Sequence, residues 1–339
     1  MSQLVARVDR VADPLSSSPD PLLALAQKHL PGLSEESLRD QATIPALAKD
    51  SGKVARLRSA VYEVQTCHRL VHGDARNLSF IGDNSVHLVV TSPPYWTLKK
   101  YNEHERQLGA IADYEEFNAQ LSGVWREALR VLAPGGRLVI VVGDVCLSRR
   151  HHGRHVVFPL HATIQESCRR SGFDNLAPII WYKIANANYE AGGGGFLGKP
   201  YEPNAIIKND IEYILLQRKP GGYREPSLGM RALSVISSDE YQEWFQQVWR
   251  IPGASTKEHP APFPVALAER LVRMFSFVGD TVLDPFVGTG STMIACSLAG
   301  RNSIGVDIDE AYLALAQRRF QEQASGFFSK ASLSLEDAL

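Results

Sequence analysis

Five consecutive residues, Ser92-Pro93-Pro94-Tyr95-Trp96, follow an apolar run at 85–90 with one threonine between. Two prolines fix the backbone and remove two N–H donors, so the nearby carbonyls become acceptors with set directions. An amino group conjugated to an aromatic ring is a poor nucleophile, because its lone pair is delocalised. If the Ser92 hydroxyl and the Pro93 carbonyl each accepted one of its hydrogens, the nitrogen would turn tetrahedral and its lone pair would point at an electrophile. Positioning and electrostatics would then suffice for transfer from a reactive donor. Tyr95 would offer a face on which an extruded planar ring stacks. The plainer reading of the same residues is a rigid surface turn with a buried aromatic.

A second chemical run, Asp284-Pro285-Phe286-Val287-Gly288-Thr289-Gly290-Ser291-Thr292, follows a strand-like stretch and opens a helix. Gly288 and Gly290 allow a tight turn and close approach of a ligand, and the helix start offers unpaired N–H groups to an anion. The third glycine of the dinucleotide fingerprint is replaced by Met293. Asp284 would repel a pyrophosphate. It would suit a zwitterionic amino acid carrying a sulfonium, with the acid facing the ammonium and the amides facing the carboxylate. About 20 residues on, at the next strand end, Asp307 is spaced to accept both hydroxyls of a ribose. Asp309 is its rival and reads better as a helix N-cap.

These residues need a scaffold that delivers them to one place. Stretches at 62–71, 85–90, 137–142, 179–184, 211–217, 281–283 and 301–307 read as strands, and 114–132, the residues after 264, after 291 and after 310 as helices. Such alternation predicts an α/β fold, a mostly parallel twisted sheet with helices on both faces. Ligands in such sheets bind beyond the carboxyl ends of the strands, where every motif above falls. Residues 1–60 read as a helical N-terminal appendage, 61–325 as the catalytic domain and 326–339 as a C-terminal tail.

Composition excludes several classes. With 44% apolar and 22% charged residues in 339, the chain is ordinary for a globular protein, and no apolar run approaches a membrane span. The four cysteines form no CxxC pair, which predicts a reducing, cytoplasmic setting and no metal site. There is no HxE with PCxxC for a zinc deaminase, no GxxxxGK[ST] for an ATPase, and no Pro-Cys turn for thiolate attack on a pyrimidine ring. A net charge of −1 leaves nucleic-acid binding to a local patch. Residues 148–224 hold eleven Lys and Arg against six Asp and Glu, which reads either as that patch or as a solvated face.

Taken together, the motifs resemble the amino-group DNA methyltransferases of bacterial restriction–modification systems, over roughly residues 60–325. Because Ser92 precedes Asp284, the order is similar to the circularly permuted subgroup called beta. The resemblance implies a Rossmann-like fold, S-adenosyl-L-methionine as cofactor and double-stranded DNA as substrate. It makes Ser92, Pro93, Pro94 and Tyr95 the catalytic loop, and Asp284, Phe286, Gly288 and Gly290 the main cofactor loop, beside Asp307. It implies that residues 259–264, with Phe263, pack over the methionine end. Asp74 would read the adenine amino group, and Trp181-Tyr182-Lys183 would line the base pocket. Ser-Pro-Pro-Tyr is the form typical of cytosine-N4 enzymes, whereas adenine-N6 relatives usually begin with Asp or Asn. The best candidates for DNA recognition are residues 185–209, including Lys199, whose glycine run at 192–195 reads alternatively as a plain flexible linker, and the basic turn with Arg149, Arg150 and Arg154. The resemblance allows a separately acting restriction endonuclease as partner and a nucleoid-associated location, and leaves monomer and dimer open. Competing readings are an adenine-N6 enzyme, a catalytically silent DNA-binding protein of this fold and a nicotinamide-binding oxidoreductase.

Overall fold

The computed structural model describes residues 20–98, 101–102, 104–147, 153–183, 203, 207, 209–253, 264–324 and 330–339. Four short helices come first: α1 (Pro21–His29), α2 (Glu35–Arg39), α3 (Thr43–Ala48) and α4 (Ser51–Val61). Asp20 caps α1 by accepting from the Leu22 and Leu23 amides, with Pro21 at the first helical position, where a missing N–H costs nothing. Leu23, Ala26, Leu57 and Ala60 from these helices share a core with Ala232 and Leu233 of a later helix, α7 (Leu228–Leu233). The contact is backbone-close. The Gly229 amide donates to Asp20 Oδ2, and a β-carbon at Gly229 would lie 2.2 Å from the Leu23 nitrogen.

The sheet uses β1 (Gln65–His72), β2 (Val86–Thr91), β3 (Leu132–Val142), β6 (Asp174–Asn175), β7 (Ile179–Tyr182), β8 (Ile211–Arg218), β9 (Val248–Arg250), β10 (Thr281–Asp284), β11 (Asn302–Asp307) and β12 (Lys330–Asp337). Their order is β12-β1-β11-β10-β2-β3-β8-β7-β9, with β6 paired to β8. A separate hairpin joins β4 (Val145–Leu147) and β5 (Val156–Phe158). All pairings from β12 to β3 are parallel, and β8 runs against its neighbours. Side chains alternate across the strands. Val89, Leu138, Ile140 and Leu215 pack under α5 (Tyr114–Val131) through Phe117, Leu121 and Trp125. Leu88, Val90, Val139 and Ile214 pack on the other face against Leu267, Leu271 and Val272 of α9 (Val265–Phe275). Strands covered on both sides must be apolar at nearly every position, which is why they are legible as continuous runs. The other helices are α6 (Leu160–Ser171), α8 (Ser238–Trp244), α10 (Ser291–Leu298) and α11 (Glu310–Ala324). Among the described residues no helix is long and apolar enough to cross a membrane.

Two segments depart from the sequence expectation. Lys330–Asp337, read as part of a tail, is the edge strand β12, paired in parallel with β1 from Gln65↔Lys330 to His72↔Asp337. Ala331 and Leu333 tuck against the core while Lys330, Ser332 and Ser334 alternate with them; a one-sided edge strand has too few apolar residues to stand out. Arg69 holds it with two bonds to Glu336. The second departure is β3, which begins at Leu132, so Pro134-Gly135-Gly136 lies within it. The register jumps from Val86↔Leu132 to Leu88↔Arg137, and Gly135 takes φ +76°, a bulge that absorbs the extra residues.

None of the four cysteines forms a disulfide. Cys168 and Cys296 are buried, and Cys67 is exposed near the start of β1.

Candidate active site

The carboxyl ends of β1, β2, β10 and β11 open on one cavity. Ser92, Pro93 and Pro94 line it from the turn after β2, and Pro285, Phe286 and Gly288 from the turn after β10. Gly73 and Asp74 after β1, Asp307 at the end of β11, and Tyr101, Arg106 and Tyr312 complete it. The topology explains how residues so distant in sequence meet: β10 lies directly beside β2, with Leu283 opposite Val89.

Gly288 (φ +48°) and Gly290 (φ +80°) both occupy the left-handed region, where a side chain is strained. Gly290 is the N-cap of α10, and a β-carbon there would lie 3.1 Å from Ala316 Cβ. The Gly288 amide donates to Asp307 Oδ2 at 2.9 Å and the Asp309 amide to Oδ1 at 3.0 Å. Burial pushes the Asp307 carboxyl up to about 7, against the pull of these two amides. Asp309 accepts from the Ala311 and Tyr312 amides, which makes it the N-cap of α11.

Asp284 behaves differently from the ammonium-facing acid that the sequence suggested. Its side chain is almost wholly buried and does not line the cavity. Oδ1 accepts from Thr91 Oγ1 at 2.7 Å and from the Phe286 amide, and Oδ2 accepts from Thr292 Oγ1 at 2.6 Å. Burial raises its carboxyl to about 6.

Nor is Tyr95 an open stacking face. It is buried, its hydroxyl lies 3.4 Å from Ser92 Oγ, and its amide donates to the Tyr101 hydroxyl. Burial lifts the phenol well above its usual range, and Glu212 adds to the lift. Glu212 itself pairs with Lys183. Glu212 was missed by sequence reasoning; the only signal was its place on a strand beside the segment Trp181-Tyr182-Lys183. In the register Trp181 pairs with Glu212. Trp181 is wholly buried and donates to the Ile251 carbonyl, so its ring faces the core. Trp96 sits at φ +45°, rare for a bulky residue, and packs edge-on against Tyr114 and beside Phe158. A second missed acid, Asp144, follows β3 and holds His161 Nδ1 at 2.6 Å, with the imidazole stacked on Tyr213.

Asp74 reaches the cavity but engages Arg76 through both carboxylate oxygens. Burial pushes its carboxyl up, and Arg76 outweighs it to leave the group below its ordinary range. Arg154 is exposed. Arg149, Arg150, Lys199 and Phe263 lie outside the described residues, as do residues 259–263 and most of 185–209. Part of the basic excess at 148–224 is neutralised locally: Arg169 and Arg170 pair with Glu166, and Arg218 pairs with Asp174.

Comparison with known proteins places this geometry. The DNA methylase family model for N6 and N4 enzymes matches residues 86–318. The chain is 38% identical over 279 residues to the type II methyltransferase M.MjaI of Methanocaldococcus jannaschii, covering 74% of this chain and 89% of the relative. It is 33% identical to M.MthZI of Methanothermobacter thermautotrophicus, covering 76% and 78%. TTHA0409 of Thermus thermophilus, solved with S-adenosyl-L-methionine, superimposes with a TM-score of 0.67 at 53% identity, over 80% of this chain and 99% of that one. A fold likeness at 16% identity and TM-score 0.56 extends to the PvuII cytosine-N4 DNA methyltransferase, over 81% of this chain and 96% of that one. With a doubly covered parallel sheet, paired glycine turn and Ser-Pro-Pro-Tyr loop on one cavity, this chain belongs to the N6/N4 DNA methylase family.

Proposed function

We propose that the protein methylates the exocyclic N4 of cytosine in double-stranded DNA, drawing the methyl from S-adenosyl-L-methionine and acting on a base turned out of the helix. The observation that carries the choice of atom is Ser92. It heads the loop, faces the cavity, and brings a hydroxyl and no charge to the target amine. Its Oγ and the Pro93 carbonyl accept the two amine hydrogens and so direct the nitrogen lone pair.

The cavity fits the donor. Asp307, with both oxygens anchored by backbone amides and the side chain on the cavity wall, has lone pairs left for two ribose hydroxyls. Gly288 lets the backbone approach without a side chain in the way. When bound, the donor supplies a methyl activated by its sulfonium. Phe286, Gly290 and, beyond the described residues, Phe263 complete the cofactor side, with Asp74 at the adenine end. Arg154, with Arg149, Arg150 and Lys199, contacts DNA phosphates. A cognate nuclease acting separately fits the restriction–modification setting.

Mass spectrometry of nucleosides from DNA of an expressing host tests the reading. The expected product is N4-methylcytosine. N6-methyladenine alone would overturn it and make the loop an adenine-N6 site.

A further inference from the structure

The hydrogen-bond ladder between β10 and β2 registers Val282 with Leu88 and Leu283 with Val89. One residue farther, where the cavity begins, side chains take over. Asp284 at the end of β10 accepts from Thr91 at the end of β2, 193 residues away in sequence, and from Thr292 in the first turn of α10. All three are buried, at 0–1% exposure. Thr91 immediately precedes Ser92, and Thr292 follows the Gly288–Gly290 turn. A third bond, from the Phe286 amide, fixes the start of that turn. The carboxylate therefore touches both loops that border the cavity, yet is not itself on the cavity wall.

We infer that Thr91, Asp284 and Thr292 form a positioning clamp that sets the distance between the Ser92 loop and the cofactor loop. This rests on the reading of those loops as amine-directing and donor-holding. Neutral hydroxyls suit this role, since each donates once to a fixed oxygen and the paired carboxylate keeps both threonine rotamers in place. Methyl transfer is in line, so the two loops must hold nitrogen and methyl within a few tenths of an ångström. A displacement of about 1 Å in such a geometry costs on the order of 10²-fold in rate. A clamp set behind the cavity controls the spacing without touching either reactant.

The test separates positioning from folding and from binding. Thr91→Val keeps the shape and removes the donor; Thr91→Ser keeps the donor. Tritiated methyl transfer into unmodified genomic DNA is measured in single turnover at saturating S-adenosyl-L-methionine, with cofactor affinity by calorimetry and Tm alongside. The clamp predicts that Thr91→Val binds the cofactor within about twofold of wild type and loses roughly 10–100-fold in the methyl-transfer rate. Thr91→Ser should recover most of that rate. Thr292→Val should slow transfer similarly, and the double variant should lose less than the product of the two single losses, since both act through one carboxylate. Should Thr91→Val fail to fold, Thr91→Ala carries the same test. A Thr91→Val enzyme at the wild-type rate overturns the clamp, as does a loss that Thr91→Ser shares or that tracks lost cofactor affinity. If the wild type binds no S-adenosyl-L-methionine, the underlying reading falls and the clamp with it; if it methylates while Thr91→Val is indifferent, the clamp falls alone.

Discussion

If Asp307 holds the ribose as proposed, cofactor affinity should depend on pH near neutrality. Its carboxyl is pushed by burial from 3.8 to about 7, so near neutral pH the empty site holds a proton part of the time. Ribose hydroxyls would donate to the ionised form, and the proton would therefore compete with the ligand. For one such group the apparent Kd scales as one plus the ratio of proton concentration to the acid constant. That factor is about 1.1 at pH 8, about 2 at pH 7 and about 11 at pH 6, so affinity should fall about tenfold from pH 8 to pH 6, or about 1.4 kcal/mol. Fold stability should move in the opposite sense. Because the folded value lies above the unfolded one, this group favours the fold most below about pH 4, and its contribution declines as pH rises towards 7. Asp284 adds to the same decline up to about pH 6, while His68, held down to about 4 by burial, works the other way up to its ordinary 6.5, so the comparison with Asp307→Asn is what isolates Asp307. Calorimetric titration of S-adenosyl-L-methionine at pH 6, 7 and 8 checks this, with Asp307→Asn as the control for titration of the ligand's own groups. Affinity that is flat in the wild type, or a pH dependence that persists in Asp307→Asn, refutes the reasoning.

Ser92→Ala should bind DNA and cofactor as the wild type does and lose roughly 10²-fold or more in turnover, the scale for one positioned hydrogen-bonding group; a wild-type rate would leave the role to the Pro93 carbonyl. Gly229→Ala forces a β-carbon to 2.2 Å from the Leu23 nitrogen and should destabilise the fold by about 1–3 kcal/mol in denaturant melts while leaving cofactor affinity unchanged. An unchanged midpoint would mean that α1 shifts freely on α7.

Much of the fold was legible because its central strands are buried on both faces and its turns carry Pro-Pro and Gly-x-Gly, which admit few conformations. Cavity-lining Ser92 and Gly288 follow from those turns. The direction in which a strand-end acid points was not legible. Asp284 and Asp307 look alike in sequence, and only the adjacency of β10 and β2 shows that one is enclosed by threonines while the other reaches the cavity. Tyr95 deceived in the same way: an aromatic beside a catalytic serine reads as a stacking platform, but the backbone turn sends it inward. The pairing of Glu212 was not legible because its partners Lys183 and Tyr95 come from other segments, and pairing across strands is invisible to local pattern. The strand β12 escaped because polar alternation at an edge looks like ordinary surface chain.

The reactive ends of the strands point one way, and the exposed Cys67 sits near the opposite end of β1, with Cys168 and Cys296 sealed in the core. Burial raises both of those thiols far above their usual range, so neither offers an accessible thiolate. Cys146 on β4 is half-buried, so with Cys146 replaced the molecule has one exposed thiol, Cys67, as a handle on its far side. A probe or tether attached there would hold the enzyme by its floor and leave the mouth of the cavity turned outward, free to meet a stretched DNA.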